Sequence, residues 1–352
     1  MAESTSLPPI LVFDVVSGEY RDPSDSADTT AKIDAPTKTV LVTGASGLLG
    51  RQVQRQFACA GWKAIGTGLT RLNPPDIIPL NLLSPRAIDT VLDETKPEVV
   101  VHCAANRFPD SCTANPPAAR ALNVAATRAL AAATAQRGIF LIYISTDYVF
   151  PGLPGDAPYS ASHPPNPQNI YGTTKLEGER AVLDAAPPPR AVTLRVPILY
   201  GPCDEPHHSA INALMSQLWR AQGLGPDEPR IEVDDWARRF PTCTEDVGRV
   251  CCDIAARYLS SENRGREMPA ILQFSGDECL TKWGVVKVFA EITGLGLEGM
   301  VPVRPQDGDA EEATRRPFDC QLDMAGLREL DVDVRSVGFR EWWTKELGAF
   351  QR

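Results

Sequence analysis

The run Val40-Leu-Val-Thr-Gly-Ala-Ser-Gly-Leu-Leu-Gly50 constrains this chain more than any other stretch. It sets Gly44, Gly47 and Gly50 three residues apart, directly after a predicted strand at 39–42 and at the head of a helical pattern. At such a turn the first glycine permits a tight bend and the second lets backbone N–H groups approach a phosphate. The third lets helix and strand pack closely. With 26 glycines in 352 residues, about 0.14 matches to this spacing are expected by chance, before the strand and helix are required. The run is therefore read as the pyrophosphate turn of a dinucleotide site.

The rest of the pattern agrees with that turn. Short β-branched runs at 39–42, 64–67, 99–102, 140–145 and 191–196 alternate with helical stretches such as the Ala-rich segment 118–137. Buried runs alternating with helices imply βαβ units, and right-handed crossovers then give an α/β fold with a doubly wound parallel sheet. After Val196 the alternation loosens and prolines multiply (Pro197, Pro202, Pro206, Pro226, Pro229). Helices are predicted there at 209–222, 244–259 and 281–293. This is the pattern of a small C-terminal α/β cap domain closing over the ligand cleft. The expected division is a tail at 1–37, a dinucleotide-binding domain at 38–200 to which part of the later chain returns, and a mainly cap segment at 201–352.

Composition narrows the function. The net charge is −10 and no basic stripe occurs, so a nucleic-acid or anionic-membrane surface has no electrostatic footprint. Seven acids against Arg21 and Lys32 in residues 1–37 supply half of that charge. A segment so polar cannot bury enough apolar surface to order itself, and disorder is expected. Nine cysteines without a CxxC pair read as reduced thiols. No apolar run approaches the ~20 residues that span a bilayer. A cytoplasmic protein with a small-molecule or protein partner is the expectation.

Cofactor choice is written after the second strand, where NAD-binding folds supply an acid to the ribose 2′-hydroxyl. Here Gly66-Thr-Gly-Leu-Thr-Arg71 holds no acid and one arginine. A guanidinium at this place suits a 2′-phosphate, which predicts NADP(H). Tyr171 and Lys175 then stand at i and i+4 of a predicted helix, after the strand that ends in Ser145-Thr146-Asp147. A hydroxyl, a phenol and an ammonium are what protonating a carbonyl during hydride delivery requires. In this reading Thr146 orients the carbonyl, Tyr171 donates the proton, and Lys175 lowers the phenol pKa and holds the ribose. Other candidates read as structural: His102 as a satisfied core histidine, His207 and His208 as surface loop, Cys251 and Cys252 as packing, Trp342 and Trp343 as a helix on the cap.

With these residues in place, the chain resembles the dTDP-4-dehydrorhamnose reductase family of extended short-chain dehydrogenases/reductases, which carry a Rossmann domain. Within that family it is most similar to the regulatory beta subunits of methionine adenosyltransferase. The likeness runs through VLVTGASGLLGR (40–51), VVHCAANRFPD (100–110), LIYISTDYVF (141–150), NIYGTTKLEGE (169–179), RRFPT (238–242) and RRPFDCQLD (315–323). It implies Ser46, Gly47, Leu48 and Leu49 along the pyrophosphate, Leu69, Thr70 and Arg71 at the 2′-phosphate ribose, and Asn81 and Leu82 on the adenine side. Cys103, Arg107, Tyr171 and Leu199 would complete the site. The implied partner is a methionine adenosyltransferase catalytic subunit, in a hetero-oligomer that makes S-adenosylmethionine. An active keto-sugar reductase, with a nucleotide-linked sugar as ligand, is the alternative. The animal beta subunits carry a partner-inserting tail past the last helix, whereas this chain ends at Arg352. The partner contact is therefore expected on the folded domains.

Overall fold

The computed structural model describes residues 12–14, 19–21, 38–263, 265–304 and 314–348. The chain divides after Thr37 into two units, Met1–Thr37 and Lys38–Arg352. In the first, β1 (Val12–Asp14) and β2 (Glu19–Arg21) pair antiparallel. The remainder of the segment expected to be disordered lies outside the described residues.

The second unit is organised by one seven-stranded sheet in which every neighbouring pair is parallel. Its strands are β3 (Thr39–Thr43), β4 (Lys63–Gly68), β5 (Ile77–Pro79), β6 (Val99–His102), β7 (Phe140–Thr146), β8 (Ala191–Val196) and the late β12 (Ile271–Gln273). They lie in the order β5-β4-β3-β6-β7-β8-β12. Strand order reverses between β3 and β6, and ligands of doubly wound sheets bind in the crevice at such a switch point. The central strands β6, β7 and β8 are buried along their whole length. That is why they read as mainly apolar runs rather than as alternation, with buried polar exceptions at His102, Thr193 and Arg195.

Helices cover both faces. On one, α1 (Leu48–Cys59) packs against α8 (Thr244–Leu259) over Val40, Val42, Val101, Ile142 and Leu194. On the other, α2 (Pro85–Thr95), α5 (Thr127–Gln136) and α6 (Ile170–Ala185) enclose Leu41, Val100, Leu141 and Tyr143, and the α3–α4 pair (Pro109–Ala114, Pro116–Arg120) packs on α6. Side-chain caps fix several starts. Ser84 Oγ accepts from Ala87 N in front of α2, and Asn169 Oδ1 accepts from Gly172 N at the head of α6. The segment predicted as one helix at 118–137 is interrupted by a π-helical turn at Ala121–Ala126.

A separate core lies in the C-terminal part. It is built from α7 (Asn212–Ala221), α9 (Lys282–Thr293), α11 (Phe339–Gly348) and two parallel strand pairs. These pairs are β9 (Leu199–Tyr200) with β11 (Thr242–Cys243), and β10 (Ile231–Asp234) with β13 (Met300–Val303). Tyr200, Phe289, Phe339, Trp342 and Trp343 interlock at its centre, so the tryptophan pair packs inward as expected. The short α10 (Ala325–Glu329) packs by β12. Thus α8 and β12, both beyond residue 200, serve the large sheet rather than the second core. No helix among the described residues is long and apolar enough to cross a membrane.

Candidate active site

The glycine turn is a cradle that side chains would fill. Gly44 has φ +67°, in the left-handed region, and a Cβ there would stand 3.0 Å from the Ala104 backbone nitrogen. A Cβ on Gly50 would fall 2.3 Å from the Gly44 carbonyl oxygen. Gly47 is the N-cap of α1 and supplies no side chain to its first N–H groups. Those donors, with the positive end of the helix dipole, face the cradle, and the geometry fits a diphosphate. Ser46 is half-buried at the rim, while Leu48 and Leu49 are buried beneath it.

Leu69, Thr70 and Arg71 follow the end of β4 and are exposed. Arg71 lines a cavity of about 230 Å³ together with Ala45, Ser46, Asn73, Asp204 and Arg51. Sequence reasoning missed Arg51, although its place directly after the last glycine of the turn puts it in the first turn of α1. Its Nη1 and Nη2 donate to Asp204 Oδ1 and Oδ2 at 2.7 and 2.5 Å. Arg71 Nη1 lies 4.0 Å from Asp204 Oδ2 and 3.4 Å from His208 Nε2. The loop histidine pair thus has one member beside Arg71. Leu82 is buried in the core, and Asn81 Oδ1 accepts from Leu83 N at 3.0 Å.

Around the carboxyl ends of β6 and β7 the site is lined by buried titratable groups. His102 lies between Thr43 Oγ1 at 2.7 Å and Thr127 Oγ1 at 3.0 Å. Burial, reinforced by the Lys175 charge, pushes its pKa down to about 3, so it is a neutral, satisfied core residue as predicted. Burial likewise pushes the Cys103 thiol up to about 12, leaving a neutral wall. Arg107 is exposed and stacks on Phe108 at 4.0 Å. Leu199, half-buried, begins β9 at the far side.

Thr146 ends β7, and Tyr171 and Lys175 share a face at the start of α6. Thr146 Oγ1 donates to Asp147 Oδ1 at 3.0 Å and accepts from Tyr148 N at 3.2 Å. Burial raises the Tyr171 phenol above its ordinary value, with the Thr146 hydroxyl pulling the other way. This differs from the expected depression by Lys175. The reason is where the ammonium points: Lys175 is 3% exposed, donates to the Ile144 carbonyl at 2.7 Å and stands 4.1 Å from the Tyr143 ring. Burial lowers its pKa to about 7, against the pull of Glu179.

Three further residues lie close by, of which Asn123 and Arg239 were not legible in the sequence, while Asp147 was visible there only as an acid beside the strand-end hydroxyl. Asn123, in the π-turn, accepts from Asn106 N at 2.8 Å and donates to Asn106 O and Thr174 Oγ1, both at 3.0 Å. It ties the loop after β6 to the helix that carries Tyr171. Asp147 is buried, which pushes its carboxyl up to about 6 despite the nearby Arg239. Arg239, 3% exposed, donates to the Pro317 and Arg238 carbonyls at 2.9 and 2.8 Å. Its Nη2 has no hydrogen-bond partner among the described residues.

A family model described as the RmlD substrate binding domain matches residues 38–345. The chain belongs to this family. Among its relatives, the methionine adenosyltransferase 2 subunit beta of Xenopus tropicalis is 37% identical over 312 residues, 88% of each chain. A dTDP-4-dehydrorhamnose reductase of Streptomyces griseus is 40% identical over 225 residues, 64% of this chain and 67% of its own. Among solved structures, a dTDP-4-dehydrorhamnose reductase of Bacillus anthracis in complex with NADP superposes with TM-score 0.70. It covers 90% of this chain and 99% of its own at 23% identity. That likeness establishes the shared extended Rossmann fold.

Proposed function

We propose that this chain binds NADP(H) and acts as the regulatory subunit of a cytoplasmic methionine adenosyltransferase, supporting S-adenosylmethionine synthesis. The observation that carries the reading is the identity to a methionine adenosyltransferase beta subunit over nearly nine tenths of both chains. In this reading residues 38–200, joined by α8 and β12, hold the cofactor, and most of 201–352 forms the cap. Ser46 to Leu49 and the open N–H groups of α1 take the diphosphate, and Arg71 meets the 2′-phosphate. Cys103, Arg107 and Leu199 border the nicotinamide half. Bound NADPH supplies a hydride. Tyr171 holds the proton for a carbonyl oxygen, Thr146 orients that oxygen, and Lys175 fixes the backbone of β7 through Ile144.

The test is size-exclusion chromatography with light scattering of this protein mixed with the catalytic subunit from the same organism, with and without NADP. A complex at micromolar concentration, favoured by NADP, is expected. Absence of any complex in both conditions overturns the reading. A second reading, reduction of a nucleotide-linked keto sugar, is favoured by the unpartnered Arg239 Nη2 near Asp147, which suits an anionic group on such a ligand. NADPH consumption with a dTDP-4-keto sugar would support it.

A further inference from the structure

Two arginines share the small cavity beside the glycine turn, and a carboxylate sits between them. Arg51 reaches it from α1 and Arg71 from the end of β4, while Asp204 arrives from the loop after β9. Like charges brought together in a confined space need an anion, and Asp204 provides one. Its carboxylate takes Arg51 in a two-point fork at 2.7 and 2.5 Å, the arrangement guanidinium uses for phosphate oxygens.

We infer that the seat for the cofactor's 2′-phosphate consists of Arg51 together with Arg71, and that Asp204 is an internal anion in that seat which the phosphate displaces. The inference rests on the NADP(H) reading above and deepens it. Arg51 does not depend on Asp204 for its position, because its Nε and Nη2 also donate to the Gly47 and Ser46 carbonyls at 3.3 Å. Asp204 leaves Arg71 poorly served, at 4.0 Å. A phosphate, with three acceptor oxygens and up to two charges, can engage both guanidiniums at once.

The loop that carries Asp204 is tethered at its ends by buried contacts, whereas its tip is exposed and held through Asp204 and His208. Ser209 Oγ donates to Leu199 O at 2.9 Å, and Asn212 Nδ2 donates to Gly201 O at 3.0 Å. Gly201 and Ser209 are buried, whereas residues 204–207 are exposed. The Asp204 side chain is 60% exposed, and an ion pair so open to solvent is weak and easily exchanged. Displacement therefore needs only the tip to swing. NADH, with a hydroxyl in place of the phosphate, has no anion to offer Arg51. Asp204 thus neutralises the guanidiniums while the seat is empty and competes with the incoming phosphate, which tempers the preference for NADP(H) and leaves NADH binding untouched.

Calorimetric titration of NADPH and NADH into the wild-type chain, Asp204→Asn, Arg51→Gln and Arg71→Ala tests this. Wild type is expected to prefer NADPH by at least about tenfold. Asp204→Asn should bind NADPH about three- to tenfold tighter with NADH unchanged, and Arg51→Gln should lose about tenfold for NADPH alone. Equal wild-type affinities overturn the NADP(H) reading and this inference with it. A wild-type preference that Arg51→Gln leaves intact, or NADPH affinity that Asp204→Asn does not raise, overturns the inference alone. Weaker NADH binding in Asp204→Asn would mean that the carboxylate serves a ribose hydroxyl, which also overturns it. Asp204 is exposed, so that variant tests the proposal even if Arg51→Gln fails to fold.

Discussion

Around residues 44–50 the wall of the cleft is backbone, whereas around Thr146, Tyr171 and Lys175 it is buried side chains that titrate. At the glycine turn, specificity is steric: Gly50 is tolerated because any Cβ would collide with the Gly44 carbonyl. At the other end, chemistry is set by desolvation, which raises Tyr171 and Asp147 and lowers Lys175 and His102. The first kind of site fails through misfolding of a few atoms. The second fails through a change of protonation with the fold intact. Substitutions in the two regions should therefore separate stability from chemistry.

The largest effect is expected at Gly50. An alanine there puts a Cβ 2.3 Å from Gly44 O, 2.7 Å from its carbonyl carbon and 2.9 Å from Ala45 Cα, and backbone cannot yield as a side chain does. Gly50→Ala should lower stability by roughly 3 kcal/mol and abolish NADPH binding. Denaturant unfolding and calorimetry read this, with Gly223→Ala, whose nearest neighbour would be 3.7 Å away, as the control. Equal stability of the two variants would break the comparison. Next comes Tyr171→Phe, which removes a proton donor and keeps the ring. Any carbonyl-reductase turnover should fall about 10²-fold while NADPH affinity stays close to wild type. A joint loss of both would show that the tyrosine acts through packing, as the glycines do.

This division also explains what was legible in the sequence. The glycine turn could be read because a backbone constraint selects one residue type at fixed spacing, and the buried strands because burial on both faces leaves mainly apolar runs. β5, β10, β12 and β13 were missed, being only three or four residues long and mostly lacking any period. The π-turn at Ala121–Ala126 has no period of its own within an Ala-rich helix. Tyr171 and Lys175 were visible as an i, i+4 pair, but the direction of the Lys175 ammonium depends on the Ile144 carbonyl, which tertiary packing presents to it. Asp204 and Arg239 reach the site from loops far along the chain, and no local pattern announces such an arrival.

The last effect, which shows only as a slope against pH and most sharpens the contrast, concerns Asp147. Its carboxyl stands at about 6 in the folded chain against an ordinary 3.8, because burial outweighs the pull of Arg239 and the Thr146 hydrogen bond. The folded state therefore binds more protons than the unfolded state between those two values, and stability must fall as pH rises through that window. Asparagine keeps an acceptor for Thr146 Oγ1 and cannot ionise. The stability difference between Asp147→Asn and wild type should thus move in favour of the variant from pH 4 to pH 8, by at most roughly 3 kcal/mol. Urea unfolding of both proteins at each pH isolates the residue, since all other titrations cancel in the difference. A difference that stays flat, or that favours wild type at high pH, would mean that Arg239 holds the carboxylate ionised. The Thr146–Lys175 region would then be governed by an ion pair rather than by desolvation.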